Sequence, residues 1–193
     1  MKKHRTETRQ HLLAVARTLM TRKGYTSVGL AQVLGAAEVP KGSFYHYFKS
    51  KDEFGQALLE QYFSDYLTTV DTLLAGPAPA AERLLGYFQY WAQTQCSDSP
   101  TDKCLVVKLG AEVCDLSEAM RQVLDKGTQA VMARLERGIG QGRVDGSITC
   151  AIPDPLLAQS LYQLWLGASL MKKIGQDKVA FDHALTMAKR LLS

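Results

Sequence analysis

The chain predicts an all-α fold of about nine helices, and three observations carry that prediction. Apolar residues recur at three- and four-residue spacing through almost every segment, the period of an amphipathic helix. Glycine, proline and small capping residues fall between those segments, where helices begin and stop. The one clear alternation, "GSITCAI" from Gly146 to Ile152, would make a lone strand with nothing to pair with. A composition of 46% hydrophobic and 22% charged residues is that of a folded globular chain.

The first helix carries the apolar stripe Leu12, Leu13, Ala16, Leu19 and Met20. Arg22 and Lys23 suit the negative end of its dipole, and Gly24 suits the position just past its end. Ser27 is a candidate cap for a short second helix bearing Leu30, Val33 and Leu34. Pro40 breaks the chain, and a third short helix starts near Lys41. Three short helices with a tight turn before the third describe a helix-turn-helix head in residues 1–50. Residues 51–193 then form a larger helical body.

The fourth helix is expected to start near Ser50, whose spacing to Glu53 is that of a capping box. Its stripe reads Phe54, Leu58, Tyr62, Tyr66, Val70 and Leu73, and "AGPAP" ends it. A fifth spans Ala80 to Cys96, and "SDSPTDK" breaks it. A sixth carries "CLVVKLGAEV". Asp115 with Glu118 is a second capping pair, opening a seventh. "GQGRVDGSITCAIP" is the longest expected loop. Asp154 before Pro155 marks the start of an eighth, and a ninth fills the C-terminus.

Charge divides the chain unevenly. Residues 1–51 hold ten lysines and arginines against Glu7 and Glu38, a balance of +8, and the remainder balances at −4. A basic head on a mildly acidic body points to a polyanion at one end only. The start, "MKKHRTETRQ", has no apolar segment behind its charges, so it does not read as a secretory signal. No apolar run approaches the roughly 18 residues of a membrane span, and the expected location is the cytoplasm. The four cysteines, Cys96, Cys104, Cys114 and Cys150, form no C-x-x-C, so thiols are expected. His4, His11, His46 and His183 share no ligand spacing with them, so neither a metal nor a cofactor is expected. No glycine-rich phosphate loop appears and no histidine neighbours Cys104, so nothing marks an enzyme.

The basic head centres on "VPKGSFYHYFKSKDEF", Val39 to Phe54. Phe44 and Phe48 stand at i, i+4 and are expected to point into the small core. Tyr45 and Tyr47 fall on other faces, where their hydroxyls can reach phosphates. Gly42 and Ser43 are small enough to let the backbone approach base edges. Lys41 can reach a guanine edge or a phosphate. Lys51, at a helix start, is placed to share a phosphate with the helix N-terminus.

"KGSFYHYFKSK" resembles the recognition-helix signature of TetR-family repressors, K-G-x-aromatic-Y-x-[YH]-F-x-[SN]-K, and the likeness extends over about residues 6–55. The resemblance implies a homodimer whose two heads enter successive major grooves of a palindromic operator. It puts Lys41, Ser43 and Tyr45 at base or nearby contacts, Tyr47 and Lys51 at phosphates, and Ser27 where the second helix meets the DNA backbone. One departure stands out. The turn usually reads A-G-V, and here it is "AEV", with Glu38 for glycine.

The acidic body is expected to dimerise and to respond to an effector. In the eighth helix, Leu161, Leu164, Trp165 and Ala168 with interleaved Gly167 and Ser169 allow close helix approach; the resemblance makes them a dimer interface. Cys104 lies near a helix start with Lys103 adjacent and Lys108 at i+4, neighbours that favour a thiolate. Cys96 and Cys114 lie near helix ends, and Cys150 has no charged neighbour close in sequence. "CLVVKLGAEVCDLSEAMRQVLDKG" resembles a branch of the family that senses reactive electrophiles or oxidants through cysteine. That implies Cys104 as the sensor, and Lys172 and Lys173 are candidates to stabilise the modified sulfur. The alternative is a non-covalent apolar effector in a pocket lined by Tyr87, Phe88, Trp91, Tyr162 and Trp165.

Overall fold

A computed structural model describes residues 2–193, with side chains from Thr6 onward. Among the described residues there are nine α-helices and no strand. They are α1 (Lys2–Lys23), α2 (Leu30–Ala37), α3 (Lys41–Phe44), α4 (Lys51–Leu74), α5 (Ala80–Cys96), α6 (Leu105–Leu116), α7 (Glu118–Val144), α8 (Asp154–Gly175) and α9 (Val179–Leu192), with a 3₁₀ turn at Pro100–Asp102 before α6. The chain groups into two compact units: Met1–Phe63 with Asp98–Lys126, and Ser64–Ser97 with Gly127–Ser193. No described helix is long and apolar enough to cross a membrane.

The first unit is built on the predicted stripe. Leu12, Leu13, Ala16 and Met20 of α1 are buried with Val33 and Leu34 of α2. Phe44, Phe48 and Phe54 form a ring cluster with centroids 4.7–5.4 Å apart. Gly24, at φ +90°, closes α1 with its amide on the Met20 carbonyl at 2.8 Å. The turn after α2 runs through Glu38 at φ 54°, the left-handed region that glycine adopts freely and that costs another residue about 1–2 kcal/mol. Gly55 of α4 lets Tyr25 and Met120 approach closely: a Cβ there would stand 2.6 Å from the Met120 sulfur and 2.7 Å from the Tyr25 ring.

Four expected details are corrected. Gly29, with extended backbone, is the N-cap of α2; Ser27 is exposed in the preceding turn. Ser117, not Asp115, opens α7: its hydroxyl accepts the Met120 amide at 3.3 Å, because α6 stays helical through Asp115 to Leu116. The predicted long loop is shorter than expected: α7 continues to Val144, taking its first five residues, and the loop proper runs from Asp145 to Pro153. Asp154 does not cap α8; its carboxylate pairs with Arg143, and Pro153 is the N-cap.

The second unit has an aromatic core. Phe88 stacks on Trp165 at 4.9 Å, and Trp165 on Phe181 at 5.6 Å. Trp91 contacts Tyr87, Tyr162 and Trp165 at 5.6–6.4 Å. Its indole donates to Ser169 at 3.0 Å. Pro79, at the start of α5, offers no cap. The Ala80 and Ala81 amides donate instead to Asp145 at 2.9 Å and Ser147 at 3.1 Å, satisfying donors a helix start leaves open.

Candidate DNA-reading surface and cysteine corner

The short α3 presents a polar face around a buried anchor. Phe44 is 0% and Phe48 2% exposed, which fixes the segment against the head. Tyr45 is 54% exposed, Lys41 and Gly42 are exposed, and Ser43 and Tyr47 are half-buried. A side chain at Gly42 would meet nothing within 4 Å, so packing does not require glycine there. Ser27 is exposed on the segment leading into α2.

Lys51 stands apart from this exposed set. Its ammonium donates to the Tyr25 carbonyl at 3.0 Å and lies 4.5 Å from the Tyr25 ring centroid. The Tyr25 hydroxyl in turn donates to the Lys51 carbonyl at 2.9 Å. Burial, with the carboxylates of Asp52 and Glu112 nearby, pushes the Tyr25 phenol up to about 12, so it stays a donor. Ser50 and Glu53 satisfy the amides around the start of α4 as expected: Ser50 Oγ accepts the Glu53 amide at 3.0 Å, and Glu53 accepts the Lys49 amide at 2.8 Å.

Glu112 of α6 holds the same turn. Its two carboxylate oxygens accept the backbone amides of Tyr25 at 2.9 Å and Thr26 at 2.7 Å. Burial pushes the carboxyl up, but the bonds from Thr26 and Tyr25 and the charge of Lys51 together hold it below the usual glutamate value. Sequence offered no local sign of this tie, because its partners lie 86 and 87 residues away.

Cys104 is the N-cap of α6, not a residue inside the helix, and is 6% exposed. The Tyr62 hydroxyl of α4 donates to its sulfur at 3.5 Å. Arg17 of α1 lies 5.4 Å from the Tyr62 ring centroid and donates to the Thr101 carbonyl at 2.5 Å. Burial pushes the thiol up, against hydrogen bonds from Tyr62 and the amides of Val107 and Val106. Desolvation therefore works against the thiolate expected from the helix start, Lys103 and Lys108. Lys108 is half-buried at i+4, with its backbone amide on the Cys104 carbonyl at 3.2 Å.

In the second unit, Tyr87, Phe88, Trp91, Tyr162 and Trp165 do come together, all at most 3% exposed and packed on one another. Leu161 and Trp165 are 0% exposed, so they face their own core and not a partner; Ala168 is also buried and Leu164 half-buried. The reason is that α8 is apolar on two sides. Its outer side, with α9, exposes Leu170, Met171, Ile174, Val179 and Met187. A groove of about 570 Å³ between α8 and α9 includes Leu164, Ala168, Met171 and Met187. Lys173 is exposed in the last turn of α8. Cys114 is exposed and Cys96 half-buried. Cys150 has a charged neighbour after all: the Arg143 guanidinium donates to its sulfur at 4.0 Å. The His4 side chain lies outside the described residues; among those described, no group of three His, Cys, Asp or Glu residues could hold a metal.

Known proteins resemble this arrangement along nearly its whole length. A model of bacterial regulatory proteins of the tetR family matches residues 12–58, and one of the tetracyclin repressor-like C-terminal domain matches residues 80–188. The chain is 42% identical over 188 residues to the HTH-type transcriptional repressor NemR of Escherichia coli strain K12, covering 97% of this chain and 94% of that one. It is 33% identical to the HTH-type transcriptional repressor DhaR of Mycobacterium sp. strain GP1, covering 95% and 91%. The crystal structure of the reduced form of E. coli NemR superposes with a TM-score of 0.92 at 41% identity, covering 97% of each chain.

Proposed function

The chain belongs to the TetR family of bacterial regulatory proteins and is a DNA-binding transcriptional repressor, and from that premise we propose that it holds a palindromic operator as a homodimer and releases it when an electrophile or oxidant modifies Cys104. In this reading residues 1–50 bind DNA and residues 51–193 sense and dimerise. Gly42, Ser43 and Tyr45 meet base edges, Lys41 meets a base edge and the adjoining phosphate, and Ser27 and Tyr47 meet phosphates. The exposed apolar side of α8 and α9 is covered by the same side of a second copy, as a two-fold interface requires.

The observation that carries the switch is the position of Cys104. It caps the helix whose Glu112 holds the turn between α1 and α2. An adduct on a buried thiol overpacks its surroundings, at about 1–3 kcal/mol. That matches the roughly 1–3 kcal/mol coupling typical of allostery. Moving α6 takes Glu112 from the Tyr25 and Thr26 amides and frees the head from its register. About 1.4 kcal/mol of such coupling weakens operator binding tenfold. The similar E. coli NemR has a crystal structure of its reduced form, which accords with a redox-responsive reading.

A gel shift with N-ethylmaleimide tests this. The wild-type protein is expected to release operator DNA, and Cys104→Ser to bind it and ignore the reagent. Full release by Cys104→Ser would overturn the proposal. One observation favours a second reading, induction by an apolar ligand: the Trp165 indole nitrogen is buried without a partner, a donor that a ligand oxygen would satisfy.

A further inference from the structure

We infer that Tyr62 is the positioning residue for Cys104 chemistry, its hydroxyl holding the sulfur as the thiolate forms and its ring seated under Arg17 of α1; the inference rests on the sensor reading above. Three features converge on it. Tyr62 is 4% exposed, so its hydroxyl has little water to turn to. It donates to the Cys104 sulfur at 3.5 Å. Arg17 fixes the ring from its face, 5.4 Å from the centroid, and is itself held by the Thr101 carbonyl three residues before the cysteine. The charged and titratable groups of this corner are Tyr62 from α4, Arg17 from α1, and Asp102, Lys103 and Lys108 beside Cys104 in the chain. Among these, Tyr62 donates to the sulfur itself.

The chemistry balances without an oxidant. The Cys104 thiol gives its proton to solvent. The thiolate adds to one olefinic carbon of a maleimide, forming a carbon–sulfur bond. The π electrons pass to the other olefinic carbon, stabilised by its carbonyl, and that carbon takes a proton from water. Nothing leaves. Tyr62 keeps its own proton throughout and donates a charge-assisted hydrogen bond to the thiolate, a stronger bond than it gives the thiol.

This assignment predicts a crossed pH profile. Removing the hydroxyl raises the thiol pKa, so less thiolate exists at neutral pH. The remaining thiolate is more nucleophilic, recovering a little under half of the loss on a logarithmic scale. Each unit of upward shift therefore slows alkylation at neutral pH by roughly threefold and quickens the alkaline plateau by about as much. A residue that merely packs would not produce opposite effects on the two limbs.

The experiment measures N-ethylmaleimide addition to Cys104 against pH by mass spectrometry, in wild-type protein and Tyr62→Phe, which keeps the ring under Arg17. The expected result is slower addition at neutral pH and faster addition on the plateau. Superimposed profiles would overturn the Tyr62 assignment while leaving the sensor reading intact. Failure of the wild-type protein to react at Cys104 would overturn both. Should Tyr62→Phe not fold, 3-fluorotyrosine at position 62 keeps the hydroxyl but makes it more acidic. The profile then gains a step where the fluorophenol ionises; its absence contradicts the assignment.

Discussion

The unit that carries the head is held at its decisive places by single polar contacts, whereas the unit of α8 and α9 is held by stacked rings. Glu112 on two amides, Lys51 on the Tyr25 carbonyl and Tyr62 on the Cys104 sulfur are directional, and a shift of an ångström breaks each of them. The Phe88–Trp165–Phe181 stack is not directional in that sense, and its strength comes from buried area. The difference fits the tasks proposed for the two units. Directional ties suit a part that must exist in two states, and a ring stack suits a part that must keep one shape while a partner covers it.

The largest effect expected from this contrast lies in the ring stack. Phe88→Ala removes a wholly buried ring stacked at 4.9 Å and is expected to cost about 3–5 kcal/mol. Thermal unfolding should show a fall of roughly 10 °C or more. A smaller fall than that of the next variant would break the comparison.

Glu112→Gln comes second. The amide oxygen can accept one of the two backbone donors well, and the loss is about 1–3 kcal/mol. Operator affinity should fall with it, because the turn ahead of α2 loses its hold. The pH dependence has a definite sign. The folded Glu112 carboxyl lies below its ordinary value, so its contribution is whole above the unfolded value of about 4.3 and is lost as pH falls through the folded one. Unfolding measured from neutral to acid pH should therefore show a shallower acid limb in Glu112→Gln. An unchanged limb would remove Glu112 from the account.

Much of the fold was legible because its punctuation is local. Pro79 and "SDSP" bracket α5, whose limits match the reading, and the missing glycine at Glu38 marked a turn that is left-handed in the structure. What was not legible depends on burial or distance along the chain. Ser27 has a capping side chain, but extended backbone at Gly29 decides where α2 begins. Cys104 has lysines beside it in sequence, yet it is buried, and burial pushes its thiol up. Arg143 reaches Cys150 across a loop, and Glu112 meets Tyr25 from 87 residues away. The exposed outer side of α8 was hidden by apolar residues on both sides of the same helix.

The smallest effect separates two lysines of the head. Lys41 is exposed, and Lys41→Ala should lower the salt slope of operator binding by about one charge. Lys51 already donates to the Tyr25 carbonyl. Lys51→Met should therefore leave the slope nearly unchanged and lower stability by about 1 kcal/mol. A slope change in Lys51→Met equal to that in Lys41→Ala would return Lys51 to the phosphate contacts that its position in sequence suggests.

The central claim is that the state of one sulfur sets the affinity for DNA. It is tested most directly by titrating wild-type protein with substoichiometric N-ethylmaleimide, reading operator binding by fluorescence anisotropy and the site of each adduct by mass spectrometry on the same samples. Release should rise in proportion to the fraction modified at Cys104, whatever the state of Cys96, Cys114 and Cys150. Release that follows one of those three cysteines instead, or full modification at Cys104 with the operator still bound, would contradict the account.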